Sequence, residues 1–297
     1  MSLVLPPGTH PPDRSVWLNG TLVHGGEAGL SVFDRGARDG GAIFETLRTY
    51  GGRPFAWDRH MERLVLSAAE LGFPVPPAPA RLREAVDAVL AADGLADAVV
   101  RITVTRGVAG GRPVRTGAWV EAEPLGGRLW AGTRRTHPED GGPLGAMVVS
   151  SRHPFSPGWL GRHKTTSRLA WDLAREEARA ARADEALLVS PSGEVLEGAA
   201  SNLFAVLTDG TIVTPPVDSD VLPGVARAVV LACARAAGLV VREERLPIER
   251  LRTAREAFLT NSVQEVLPVR MLEGREFPER AVALRLLAAY REQVADD

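Results

Sequence analysis

Residues 126–145, GGRLWAGTRRTHPEDGGPLG, interrupt the chain with glycine, proline and charge and follow neither a helical nor a strand period. Such a stretch adds no regular element to a core, so it reads as a linker between two separately packed parts. Both parts mix short alternating apolar runs with longer amphipathic ones, the pattern of sheets covered by helices. The fold expected is α/β (α+β), with a small N-terminal domain over residues 1–125, a linker over 126–145 and a larger domain over 146–297.

Before the linker, SVWLNGTLVH at 15–24 places Asn19-Gly20 between two apolar runs, a hairpin signal because that turn needs positive φ at both positions. Residues 43–50, 99–105 and 118–122 alternate and predict strands. Residues 59–71 and 81–92 carry apolar side chains at helical spacing. After the linker, strands are expected at 146–151, 186–190, 203–207, 256–260 and 266–270. Helices are expected at 168–183 and 226–238, with Gly238 closing the latter.

The bulk properties exclude several kinds of function. A formal charge of -2 gives no electrostatic case for nucleic acid or an anionic membrane. The longer apolar runs, such as 228–234, are far too short to span a bilayer. Residues 1–14 lack a basic segment followed by an apolar core, so no secretory leader is expected. Cys233 is the single cysteine, which rules out an internal disulfide; it reads as a small core residue. A cytoplasmic location is therefore expected. The six histidines show no HxxxH or HExxH spacing, and no metal site is expected.

One lysine, Lys164, stands among 35 basic residues, the rest being arginine. Arginine can replace lysine as a solvated charge. It cannot replace an amine that must lose its proton and attack a carbonyl. Lys164, in GRHKTTSR, is thus a candidate Schiff-base former, with codon drift as the ordinary alternative. Thr165, Thr166 and Ser167 suit the N-terminus of the helix that follows. Glu197 opens EGAASNLF, and the small residues after it let a planar ligand approach. A carboxylate facing a heteroaromatic nitrogen would keep that nitrogen protonated; the alternative is a surface glutamate before a tight turn. Leu222-Pro223-Gly224-Val225-Ala226-Arg227 feeds a helix whose free N–H groups make a phosphate seat. Thr260-Asn261-Ser262 and Arg63 could complete it, although Arg63 alone would read as a solvated helix residue.

In order, SVFDRGARDGGAIFETLR, HMERLVLSAAELG, RHKTTS, LEGAASNLF, LPGVAR and TNSVQEVLPV resemble the class IV aminotransferases, the fold-type IV pyridoxal-phosphate enzymes. The resemblance runs over roughly residues 17–275. It implies a small α/β domain, a larger domain around a barrel-like sheet, and a homodimer. The cofactor implied is pyridoxal 5'-phosphate, and the substrates are an amino donor and a keto-acid acceptor. Lys164 matches the lysine that bonds the cofactor and then shuttles the proton. Glu197 matches the carboxylate at the pyridine nitrogen. Arg63, Ser262 and the backbone amides of Val225 and Ala226 match the phosphate site. Ala226 stands where many relatives have threonine, which removes one hydroxyl contact.

Within the family, the branched-chain L-transaminases use several pocket tyrosines, and this chain has only Tyr50 and Tyr290. Asp39 and Leu169 stand where those enzymes carry tyrosine. The expected reaction is therefore transamination of D-amino acids, extended to (R)-primary amines. Aminodeoxychorismate lyase is the second reading, because the FET tripeptide and TNSVQEVLPV suit both. The Arg-x-His pair of the familiar D-amino-acid enzymes is missing: Arg112-Pro113-Val114 has no histidine. Arg38 or Arg112 is expected to hold the substrate carboxylate instead, with Phe44 in the same pocket. Asp39 is expected to be solvated or paired with Arg38 or another arginine. A vitamin B6-binding protein without catalysis is a third possibility, and retention of Lys164 argues against it.

Overall fold

The computed structural model describes residues 13–110, 115–130 and 145–297. The described residues form two compact units. The first runs to Arg128 and also takes Lys164–Ser167, and the second takes the remainder. Most of the expected linker lies outside the described residues.

The first unit is built on the antiparallel strands β1 (Ser15–Leu18), β2 (Thr21–His24), β3 (Ala42–Tyr50), β4 (Arg53–Pro54), β5 (Ala98–Thr105) and β6 (Ala118–Pro124). Their order in the sheet is β2-β1-β6-β5-β3-β4. The β1–β2 hairpin turns at Asn19 and Gly20 with φ of 50° and 104°, as its sequence requires. A short helix, α1 (Arg35–Asp39), precedes β3. Helices α2 (Trp57–Glu70) and α3 (Pro79–Ala92) supply Met61, Leu64, Leu82, Val86 and Val89 to the core. Alternation along β3 brings Ile43 and Leu47 into the same core, with Val100, Ile102, Val104 and Val120. Each such side chain contributes about 1.5–3 kcal/mol by leaving water.

Lys164–Ser167 joins this unit by strand pairing. The Phe44 N–H donates to the Lys164 carbonyl at 2.9 Å, and the Thr166 N–H donates to Ala42 O at 2.8 Å. Thr165 bridges Ile43 in antiparallel register. These residues were expected to cap the next helix, but they do not. The Thr166 hydroxyl donates to Gly40 O at 3.0 Å and Ala42 O at 3.3 Å, and Ser167 donates to Gly40 O at 3.0 Å. Gly40 has φ 65°, and a Cβ there would lie 2.5 Å from the Ser167 oxygen. The hydroxyls thus fasten the lysine segment to the entry of β3.

The second unit holds a mixed sheet of β7 (Ala146–Ser150), β8 (Glu185–Val189), β9 (Glu194–Gly198), β10 (Asn202–Val206), β11 (Ile212–Thr214), β12 (Val241–Glu243), β13 (Leu246–Pro247), β14 (Glu256–Asn261), β15 (Glu265–Leu272) and β16 (Arg275–Glu276). The order is β12-β11-β10-β14-β15-β7-β8-β9-β13, with β16 on β15. Helix α4 (Leu169–Ala180) packs on β8; α5 (Val225–Ala236) and α7 (Ala281–Asp296) pack on β14 and β15; α6 (Ile248–Arg252) packs on β13. Seven elements of this unit were not expected from the sequence: β9, β11, β12, β13, β16, α6 and α7. β9 is short and interrupted by charge. α7 has no local cap: its Val282 and Ala283 N–H groups donate to the carboxylate of Glu256, a partner far away in sequence. No helix among the described residues is long and apolar enough to cross a membrane.

Candidate active site

Strand pairing fixes the Lys164 backbone, and its Nζ lies 4.7 Å from the centroid of the Phe44 ring. Even residues of β3 point away from the core shared by Ile43 and Leu47, so Phe44 faces the other side of the sheet. Arg101 on β5 approaches the same ring, its guanidinium carbon 3.8 Å from the centroid. The structure therefore brings together Lys164, Phe44 and Arg101, and Arg101 was not anticipated.

Arg63 lies one and a half turns into α2 and is locked to Glu45 of β3. Its Nε and a terminal nitrogen donate to the two carboxylate oxygens at 2.8 and 2.6 Å. His60 Nδ1 sits 2.7 Å from the same carboxylate. Glu45 and His60 are each 1% exposed. Burial alone would raise the Glu45 carboxyl, but the charge and hydrogen bonds of Arg63, with those of His60, hold it at about 2. Burial pushes the His60 imidazolium down despite Glu45, and the charges of Arg63 and Lys164 act in the same direction. A bidentate carboxylate of this kind fixes the guanidinium plane, as a phosphate-binding arginine requires. Glu45 and His60 lie inside the quoted motifs. A glutamate at a core-facing strand position was the available signal for a buried ion pair.

In the second unit, Glu197 on β9 is 5% exposed. Its Oε2 accepts from the Leu222 N–H at 3.0 Å and Asn202 Nδ2 at 3.3 Å, and its Oε1 accepts from Trp171 Nε1 at 3.4 Å. The surface-turn alternative is thereby removed. Asn202 also donates to Leu222 O at 3.0 Å, tying Glu197 to the segment that leads into α5. Gly224 precedes α5 with no side-chain cap, and Val225 and Ala226 form the first turn. A Cβ at Gly224 would meet Asn202 Oδ1 at 1.9 Å, so only glycine fits there. Ser262 lies in the turn after β14, where Asn261 Oδ1 accepts from the Val263 and Gln264 N–H groups at 2.9 and 2.7 Å. The buried Thr260 hydroxyl, two residues earlier, has no hydrogen-bond partner among the described residues. Asn202, Trp171 and Thr260 were not singled out from sequence.

This donor set fits a phosphorylated heteroaromatic cofactor. A buried carboxylate is presented beside small residues, an uncapped helix N-terminus offers N–H groups, and an unmatched hydroxyl stands near Ser262. Arg38 is placed differently from the expectation. It lies in the last turn of the five-residue α1 with a side chain 60% exposed, and its Nε lies 3.7 Å from Asp39. Asp39 also meets Arg35 at 3.9 Å, so its pairing is an exposed one of small energy. Arg112 lies outside the described residues.

The family profile of the amino-transferases of class IV matches residues 42–272. The chain belongs to the class IV aminotransferases. A putative branched-chain-amino-acid aminotransferase of Methanocaldococcus jannaschii is 33% identical, over 90% of this chain and 91% of that protein. A D-alanine aminotransferase of Listeria monocytogenes is 30% identical, over 87% of this chain and 88% of its own. A hypothetical aminotransferase of Mycobacterium tuberculosis in its PLP-bound form superposes with a TM-score of 0.84 at 25% identity, covering 95% of this chain and all of that one. This class IV aminotransferase uses pyridoxal 5'-phosphate and acts on amino and keto acids.

Proposed function

We propose that the enzyme moves the amino group of a D-amino acid, and of (R)-primary amines, to a 2-keto acid. The observation that carries the reading is the placement of both tyrosines. Tyr50 ends β3 against Phe55 and Arg48, roughly 20 Å along the strand from Phe44. Tyr290 is buried on α7 at 1% exposure. Neither offers the hydroxyl on which a tyrosine-lined L-specific pocket depends. The Listeria relative supports the same reading. The Methanocaldococcus relative favours a branched-chain L-amino-acid donor, which is the second reading.

When bound, pyridoxal 5'-phosphate supplies an aldehyde that takes the donor amine and a ring that accepts the electron pair released at Cα. Lys164 would hold the cofactor through its amine, and Nζ would be the base that carries the donor's Cα proton. Glu197 holds the proton on the pyridine nitrogen. Ser262 and the first-turn amides Val225 and Ala226 would hold the phosphate, and Arg63, held in plane by Glu45, would be suited to the same anion. Phe44 walls the pocket beside Lys164. Arg101 takes the substrate carboxylate, a role for which Arg38 is the weaker candidate because of its exposure. Loops with exposed Val32, Phe33 and Val108 support a homodimer. The single buried cysteine supports a cytoplasmic location.

Replacing Arg101 tests the pocket. In Arg101→Met the KM for D-alanine should rise about tenfold or more, the loss of one charge-assisted pair. The KM for (R)-1-phenylethylamine, which has no carboxylate, should stay within about twofold, since nothing in that donor needs the cation. Equal changes for both donors would remove Arg101 from the carboxylate site.

A further inference from the structure

The turn after Glu197 is made of Gly198, Ala199, Ala200 and Ser201, of which Ala199 packs into the apolar core and donates to Ala186 O at 2.9 Å. Further polar contacts hold the rest. Arg168 donates to Ala199 O at 2.8 Å, and Asn261 Nδ2 donates to Ala200 O at 3.0 Å. The largest share falls to Glu185, the first residue of β8. Its Oε2 accepts from the Ala200 N–H at 2.9 Å and from the Ser201 hydroxyl at 2.8 Å, and its Oε1 accepts from the Ala186 N–H at 3.0 Å. Gly198 makes room for this: a Cβ there would lie 2.8 Å from Glu185 Oε2 and 2.1 Å from the Ser201 oxygen.

Glu185 is 1% exposed and has no ion pair among the described residues. A buried carboxylate met only by neutral dipoles is a costly choice for holding a turn, and such groups concentrate at functional sites. Burial pushes the carboxyl up to about 7 against the pull of its three hydrogen bonds. The charged side chains that act on it are Arg175 of α4 and Arg168 just before that helix, and Glu197 stands on the neighbouring β9. β7, its other neighbour in the sheet, carries no charged residue.

We propose that Glu185 is a positioning residue for the cofactor: by clasping the Ala200 N–H and the Ser201 hydroxyl it fixes the turn beside Glu197, and so sets the alignment of the Glu197 carboxylate with the pyridine nitrogen. The proposal rests on the reading that Glu197 is the partner of that nitrogen. Glu185 touches neither cofactor nor substrate in this role. Glu185→Gln keeps the size of the side chain but replaces one acceptor oxygen by a donor, so the clasp cannot close on all its partners.

The test is titration of the apo form of the full-length enzyme with pyridoxal 5'-phosphate, followed by absorbance and fluorescence, for wild type, Glu185→Gln and Glu197→Gln. The expected result for Glu185→Gln is a five- to thirtyfold rise in the cofactor Kd, about one or two lost hydrogen bonds. The absorbance maximum of the bound cofactor should be displaced. The dependence of Kd on pH between 6 and 8 should be present in wild type and flattened in the variant, whereas a purely structural role would leave both signatures in place. Wild-type Kd, band and pH dependence in Glu185→Gln, with clear defects in Glu197→Gln, would overturn the role of Glu185 alone. Wild-type behaviour in both variants would overturn the reading of Glu197. If Glu185→Gln does not fold, Ser201→Ala decides: a Kd raised severalfold with a displaced band supports the clasp, about one hydrogen bond being lost, and an unchanged Kd and band overturn it.

Discussion

In each unit of this aminotransferase one glutamate lies at 1% exposure, and the two are sustained in opposite ways. Glu45 and Glu185 are both 1% exposed. Glu45 meets the Arg63 guanidinium on both oxygens and His60 on one, and its carboxyl is held at about 2. Glu185 meets two N–H groups and a hydroxyl, and its carboxyl is pushed up to about 7. Burial is therefore not the variable. The charge of the partner decides whether a buried carboxylate is a permanent anion or a group that exchanges its proton near neutral pH. The first kind suits a scaffold that must hold an arginine rigid. The second suits a position where neutral dipoles of a turn are to be held in register.

The largest break in the comparison should come from Glu45→Ala. It leaves Arg63 buried without its counter-charge and His60 without its hydrogen-bond partner, and removing one partner of such a pair costs about 3–5 kcal/mol. Urea unfolding of the apo form measures this; a loss below about 1 kcal/mol, the scale of a single neutral hydrogen bond, would mean that Arg63 finds another partner easily. The next test is the pH dependence of stability, where the two glutamates should have opposite signs. The Glu45 carboxyl is lowered from its ordinary 4.5, so its contribution is present above that value and is lost as pH falls toward 2. The Glu185 carboxyl is raised from 4.5, so its contribution is present below that value and is lost as pH rises through 7. Relative to wild type, Glu185→Gln should therefore become more stable between pH 5 and 8. Thermal melting across that range checks the slope, and a parallel curve for wild type and variant would contradict it.

Smaller effects sharpen the contrast between fastened and solvated parts of the first unit. Thr166→Val removes the hydroxyl contacts to Gly40 and Ala42 while keeping the side-chain shape. It should lower kcat severalfold through a looser Lys164, with about 1 kcal/mol of stability lost. The smallest change is expected for Arg38→Ala. Its side chain is 60% exposed and its pairing with Asp39 is weak, so the KM for D-alanine should move by no more than about twofold. A tenfold rise would return Arg38 to the carboxylate site.

The parts legible in the sequence are those with local causes. The Asn19-Gly20 turn, the β3 alternation and the apolar face of α2 each follow from neighbours in the chain. Lys164 and Glu197 stood out because the chemistry expected of them has few substitutes, and the structure finds Glu197 buried and Lys164 beside Phe44. What remained hidden depends on partners distant in sequence. Glu256 caps α7 from another element, so that helix has no start signal of its own. Thr166 and Ser167 look like helix caps but bind the carbonyls of Gly40 and Ala42, because strand pairing brings those groups closer than the helix N-terminus. Arg101 reads as one charge in an alternating strand until Phe44, on the paired β3, is found under its guanidinium.

The most direct test of the account is a half-reaction followed by absorbance, with the purified holoenzyme mixed separately with D-alanine and L-leucine in the absence of keto acid. The account predicts that D-alanine converts the visible band of the lysine-bound cofactor to the near-ultraviolet band of pyridoxamine 5'-phosphate, with L-leucine far slower. Conversion by L-leucine with D-alanine inert would contradict it and make the enzyme a branched-chain L-amino-acid transaminase.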